Sequence, residues 1–262
     1  MRGRLLWRIG APLVLLSVLL PSSTSGASGV GMNETFSSTK WFERWGLDAP
    51  PWHTTRVDNE SEGEFLRVSF PLRSFNGTSW SYPTGTADDV TLSYRIRFGA
   101  TWRPMLLQTG KLPGFGLPRK HASGRCAEAC GLKPVTGPHY SARASFDETN
   151  RGGSYLYTPQ CGDVKRLTGL NESWTGGLPF LTGRWYEVRQ NIVMNTPGVA
   201  DGRIRAWIDG ALVYDSGPAF CFRSAEHPEV HVGNAWIEMY FGGKTRPLLP
   251  TWLDIDDIKI AV

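Results

Sequence analysis

The run LSYRIRF, residues 92–98, decides the fold: Leu92, Tyr94, Ile96 and Phe98 alternate with Ser93, Arg95 and Arg97. Successive side chains of an extended strand point to opposite faces, so a period of two buries the apolar set and leaves the polar set wet. Working outward, Glu64 to Phe70, Met105 to Thr109, His139 to Phe146, Ser154 to Thr158, Arg184 to Met194, Val230 to Phe241 and Trp252 to Ile260 read as further strands. Asp201-Gly202 and Asp209-Gly210 are hairpin turn signals around Ile204, Ala206 and Ile208, with Arg203, Arg205 and Trp207 on the opposite face. No stretch sustains a helical period. Many strands separated by turns predict an all-β fold, an antiparallel β-sandwich of jelly-roll type.

With 262 residues, 40% of them hydrophobic and 20% charged, the chain has apolar material for one large core. Arg2, Arg4 and Arg8 precede the apolar run Ile9 to Leu20 and the small residues Ser25-Gly26-Ala27, so residues 1–27 read as a signal peptide. The apolar run is short for a membrane span. Residues 28–60, rich in Ser, Thr, Asn and Pro, are expected to form an irregular arm held by Trp41, Trp45 and Trp52, and residues 61–262 the β-domain. A secreted, extracellular monomer with no membrane contact after signal removal is the expectation.

Removing residues 1–27 takes away three arginines and no acid, which lowers the formal charge from +4 to +1. A globally basic surface for nucleic acid is therefore not expected, and an anionic partner must be held by local charge. Cys126, Cys130, Cys161 and Cys221 fit two disulfides with three possible pairings; Cys126–Cys130 with Cys161–Cys221 is favoured because the first two can close a small loop. The cysteine separations are too irregular for a zinc site. Asn33, Asn59, Asn76 and Asn171 each begin an N-x-S/T sequon, in keeping with a secretory route.

Local positive charge is concentrated between Lys111 and Arg143, where Lys111, Arg119, Lys120, Arg125, Lys133 and Arg143 face only Glu128, within the stretch that runs on to Tyr157. GKLPGFG opens this stretch, HYSARASF lies in its middle and GGSYLYTP closes it. If the latter two are strands, His139, Ser141 and Arg143 share one face, Tyr155 and Tyr157 share another, and Tyr140, Ala142, Ala144 and Phe146 take the buried side. The long loop Leu117 to Pro138 between them reads as functional or as an insertion pinned by a disulfide.

From about Thr91 to Ala261 the chain resembles polysaccharide lyase family 14. The matching pieces are GKLPG around Lys111, S-x-R at Ser141 and Arg143, Y-x-Y at Tyr155 and Tyr157, RQNIVMNTPGVADGRIRAWIDG, and MYFGG ending at Gly243. The resemblance implies a concanavalin A-like β-jelly roll, β-elimination on a uronic-acid polysaccharide such as alginate or a glucuronan, and active-site roles for Lys111, Ser141, Arg143, Tyr155 and Tyr157. The loop with Cys126 and Cys130 looks longer than in the alginate lyases. The family histidine upstream of S-x-R has no aligned counterpart, and His139 or His121 is the candidate for that place.

The chemistry wants such groups. β-Elimination removes the weakly acidic C5 proton beside a uronate carboxylate and expels the oxygen on C4. Fixed donors must stabilise the enolate-like charge, a task for which Arg143 is suited; Lys111 could share it, or act as base if its pKa is depressed. Tyr157 is expected to be base or acid with Tyr155 assisting, or the two with their roles exchanged, the nearby cations lowering a phenol pKa of ordinarily about 10. Substrate contacts are expected from Ser141, His139, Gln190, Arg203 and Arg205, although Gln190 shares the apolar parity of its strand and could equally be a core amide. No cofactor is expected; Asp254, Asp256 and Asp257 could bind calcium at the sandwich edge. The alternative to an enzyme is a non-catalytic carbohydrate-binding sandwich. A glycoside hydrolase would need two paired carboxylates, and the one dense acidic run, Asp254 to Asp257, has no glutamate partner at the usual spacing.

Overall fold

The computed structural model describes residues 30–103, 108–118, 140–159, 161, 167–243 and 246–262. In chain order its strands are β1 (Val30–Glu34), β2 (Thr54–Asn59), β3 (Gly63–Phe70), β4 (Asn76–Gly85), β5 (Asp89–Phe98), β6 (Gln108–Gly116) and β7 (Ser141–Phe146). They continue with β8 (Gly152–Thr158), β9 (Leu167–Ser173), β10 (Trp185–Val193), β11 (Arg203–Ile208), β12 (Ala211–Asp215), β13 (Gly233–Gly243) and β14 (Thr251–Ala261). One 3-10 turn, Trp41–Trp45, is the single helical element among the described residues.

Two antiparallel sheets face each other in a jelly-roll sandwich. One runs β12-β11-β10-β5-β14-β3-β2, with β1 also paired to β14; the other runs β4-β13-β6-β7-β8-β9. The alternation read at residues 92–98 holds through β5, where Val90, Leu92, Tyr94, Ile96 and Phe98 are buried and the residues between them are not. These meet Ala142, Ala144 and Phe146 from β7 and Ala235, Ile237, Met239 and Phe241 from β13 in one core. At one end Trp102 stacks on Phe241 at 4.7 Å and meets Phe98 and Phe146 edge-on. Aromatic pairs in these geometries add roughly 0.5–1.5 kcal/mol beyond their buried area.

The amino-terminal segment differs from its expected irregularity. β1 pairs with β14 and β2 with β3, so residues 30–34 and 54–59 extend the larger sheet. Exposed polar residues hid these strands, because an edge strand needs only one packed face. Its tryptophans do anchor it in part: Trp41 and Trp45 lie 5.5 and 5.8 Å from Trp80 of β4, whereas Trp52 is exposed. Cys161 and Cys221 form a buried disulfide across a separation of 60 residues. Residues 1–29, including the expected signal peptide, and Cys126 and Cys130 lie outside the described residues.

The acidic run of β14 is engaged by arginines. Asp254 is fully buried and accepts hydrogen bonds from Arg67 and Arg97, while Arg95 lies within 3.8 Å of Asp256 and 3.6 Å of Asp257. Glu62 completes this network by accepting from Arg97. Among the described residues no group of three His, Cys, Asp or Glu could hold a metal ion.

Candidate active site

Four neighbouring strands, β13, β6, β7 and β8, build the cluster. Antiparallel register sets Tyr240 opposite Lys111, Arg143 opposite Gly114 and Tyr155, and Ser141 opposite Tyr157. Ala142, Ala144 and Leu156 point into the core, so Ser141, Arg143, Tyr155 and Tyr157 take the other face of the sheet. The register slips between Lys111 and Gly114, which keeps Leu112 in the core and Lys111 on the same face as the tyrosines. Gly114 permits that arrangement: a Cβ there would lie 2.4 Å from both the Ala142 carbonyl oxygen and the Arg143 Cα.

The side chains converge. Lys111 Nζ sits 3.3 Å from the centroid of the Tyr155 ring and 5.7 Å from that of Tyr240. The Tyr155 and Tyr157 hydroxyls are 3.3 Å apart. Arg143 lies between the tyrosines, its Cζ 6.0 Å from the Tyr155 ring and 5.8 Å from those of Tyr157 and Tyr240. Its Nη1 donates to Glu238 Oε2 at 2.6 Å and to the Tyr240 hydroxyl at 3.3 Å. Arg143 and Ser141 are fully buried and Lys111 nearly so, whereas Tyr155 and Tyr157 are half-buried. The phenols thus form the accessible side of the cluster and the guanidinium its floor.

Burial sets the protonation states. Lys111 is pushed down to about 7, chiefly by loss of water and then by the Arg143 charge, with Glu238 opposing them. Near neutrality a substantial fraction of this amine is uncharged and able to accept a proton. Tyr157 departs from the sequence expectation: burial, reinforced by its hydrogen bond to Tyr155, raises its pKa, and the Arg143 charge does not offset this. It is a protonated phenol, a donor rather than a ready base. For Arg143, burial works to lower the pKa, but Glu238 and the neighbouring tyrosines more than compensate, and the guanidinium stays charged. The Arg143 Nε and Nη2 groups and the Ser141 hydroxyl have no hydrogen-bond partner among the described residues.

Lys111, Ser141, Arg143, Tyr155 and Tyr157 are therefore together. Gln190 is not with them; it points between the sheets, where its Nε2 donates to Ser154 Oγ at 3.3 Å, the core-amide alternative. Arg203 and Arg205 also lie elsewhere, on β11 of the larger sheet. There Arg203 is paired with Asp215, and Arg205 donates to Asn191 Oδ1 at 2.8 Å beside Trp207. His139 falls outside the described residues. Sequence reasoning misses Glu238 and Tyr240. Their signal is the alternation of Trp236, Glu238 and Tyr240 with Ala235, Ile237, Met239 and Phe241, which puts a lone acid on the same face as the basic cluster. That acid is bound to Arg143, so among the described residues the cluster lacks the two free carboxylates of a glycoside hydrolase.

The chain resembles known proteins in sequence and in fold. The sequence profile of the family described as Polysaccharide lyase 14 matches residues 59–251. No curated protein sequence matches the chain. An alginate lyase from Aplysia kurodai superposes with a TM-score of 0.66 at 17% identity, over 89% of this chain and 99% of that one. One from a Chlorella virus gives 0.66 at 14% identity, over 89% and 99%. An endo-β-1,4-glucuronan lyase from the fungus Trichoderma reesei gives 0.60 at 12% identity, over 89% and 96%. At these identities the three structures establish a shared fold.

Proposed function

The chain belongs to polysaccharide lyase family 14, and we propose that it cleaves an anionic uronic-acid polysaccharide, alginate or a glucuronan-like polymer, by β-elimination. The observation that carries this reading is the meeting of a lysine amine with pKa near 7 and a protonated tyrosine over a buried guanidinium. Lys111 as neutral amine takes the C5 proton. The electron pair left on C5 forms the C4–C5 double bond as the bond from C4 to the glycosidic oxygen breaks, and Tyr157 gives its phenolic proton to that oxygen. One product carries an unsaturated uronate and the other a new hydroxyl; no water enters.

Charge develops on the uronate carboxyl as the C5 proton leaves. The Arg143 charge buried beneath the tyrosines is assigned to stabilise it, and Ser141 is assigned a place beside Arg143. Tyr155, stacked against Lys111 and bonded to Tyr157, orients both. The same reading places the enzyme outside the cell, where the Cys161–Cys221 disulfide would persist.

The test is a panel of polymannuronate, polyguluronate and polyglucuronate followed by the ultraviolet absorbance of the unsaturated product. Wild type should generate absorbance on at least one polymer. Tyr157→Phe should lose about 10²–10⁴-fold in turnover while still binding it. Near-normal turnover by Tyr157→Phe would show that the tyrosine is misassigned; binding without new absorbance on any uronan would identify a non-catalytic binding module.

A further inference from the structure

We propose that Glu238 is a positioning residue for the elimination: its carboxylate fixes Arg143 beneath the tyrosines and supplies the negative charge that the neighbouring Lys111 amine feels. The inference rests on the reading of Lys111 as base. Arg143 has no accessible surface, and a buried guanidinium without a counter-ion would be strongly disfavoured. Glu238 provides the counter-ion at 2.6 Å from the adjacent half of the sheet, itself almost wholly buried. Because Nη1 is bound there and to Tyr240, the guanidinium plane is held with Nε and Nη2 turned away from the pair. The cation beneath the tyrosines is thereby held in one orientation.

The second half of the role concerns Lys111. Among the described residues, the titratable and charged groups facing it are Arg143 from β7, Tyr155 from β8, and Tyr240, its register partner on β13, with Glu238 two residues before Tyr240 on the same face. Among these described neighbours Glu238 alone is an acid, and it favours the ammonium against burial and Arg143, which both disfavour it. Removing its charge must make the amine a weaker proton acceptor. The pH at which Lys111 becomes neutral then falls.

Glu238→Gln and Glu238→Asp separate the two effects. In wild type, kcat/KM should rise with pH through about 7. For Glu238→Gln that limb should move about one unit lower and kcat should fall at least tenfold as Arg143 loses its anchor. Glu238→Asp keeps the charge and shortens the reach, so its limb should stay in place while kcat drops. A readout independent of turnover is the pH dependence of thermal stability, whose rise across the Lys111 titration should begin at lower pH in Glu238→Gln than in wild type. If both profiles of Glu238→Gln coincide with those of wild type, Glu238 does not act on Lys111 and the proposal is overturned. If wild type forms no unsaturated product from any uronan, the lyase reading fails instead, and the thermal experiment alone then decides whether Glu238 governs the amine.

Discussion

Lys111 holds an ionisable amine where water scarcely reaches, and that placement works against folding. Its folded pKa of about 7 lies below the ordinary 10.5, so the folded protein carries the full penalty of a buried charge below pH 7, where both folded and unfolded chains are protonated. Between about 7 and 10.5 the unfolded chain holds more protons, and wild-type stability must rise with pH. Above that range both states are neutral and the penalty is gone. Lys111→Met should therefore abolish turnover yet stabilise the protein below neutral pH, by up to about 5 kcal/mol, with the advantage shrinking towards pH 10 in thermal melts. Equal melting behaviour at all pH values would show that the amine is not desolvated. The candidate base was legible in the sequence through its GKLPG setting, but its protonation state was not, because desolvation depends on what packs over a side chain. The same limit misled the expectation for Tyr157: Arg143 is near, but burial outweighs its charge.

At the level of the strand, β6 is the hinge of the site. Three of its glycines are forced by close approach: Gly110 lies against the Phe146 ring, Gly114 against the β7 backbone and Gly116 against Trp236. Gly114→Ala must push β6 from β7 and so separate Lys111 from Arg143; the expected result is a soluble protein that has lost at least 10²-fold in turnover, since misplacements near 1 Å cost that much. Normal turnover in this variant would mean that the two strands need not stay in contact. Strands with clean alternation, such as β5 and β7, are readable because one face is fully apolar. β4, NGTSWSYPTG, is not, since it is rich in Ser and Thr and carries Pro83. Alternation also reports which side of a sheet a residue occupies but not which sheet. Arg203 and Arg205 show the consequence: they face outward as expected, but from the sheet that does not carry the cluster.

Across the whole molecule the two sheets divide the work. The larger sheet ties its outer face together with arginine–carboxylate pairs and arginines stacked on aromatics, as where Arg97 meets both Asp254 and the Trp185 ring. The smaller sheet concentrates its polar chemistry in one place, with Lys111, Arg143, Glu238, Tyr155, Tyr157 and Tyr240 drawn from four adjacent strands. Much of the sandwich was foreseeable from strand periodicity; β1, β2, β4 and β9 were not, nor was the pairing of the amino-terminal strands, because pairing partners far apart in sequence leave no local trace. What this architecture is held to do is break a glycosidic C–O bond without water. Digesting the polymer that proves to be the substrate in heavy-oxygen water and weighing the fragments tests that directly. Elimination predicts that one fragment of each pair is lighter by a molecule of water than a hydrolytic product and has no heavy oxygen at its unsaturated, non-reducing end. Two fragments of full hydrolytic mass would contradict it.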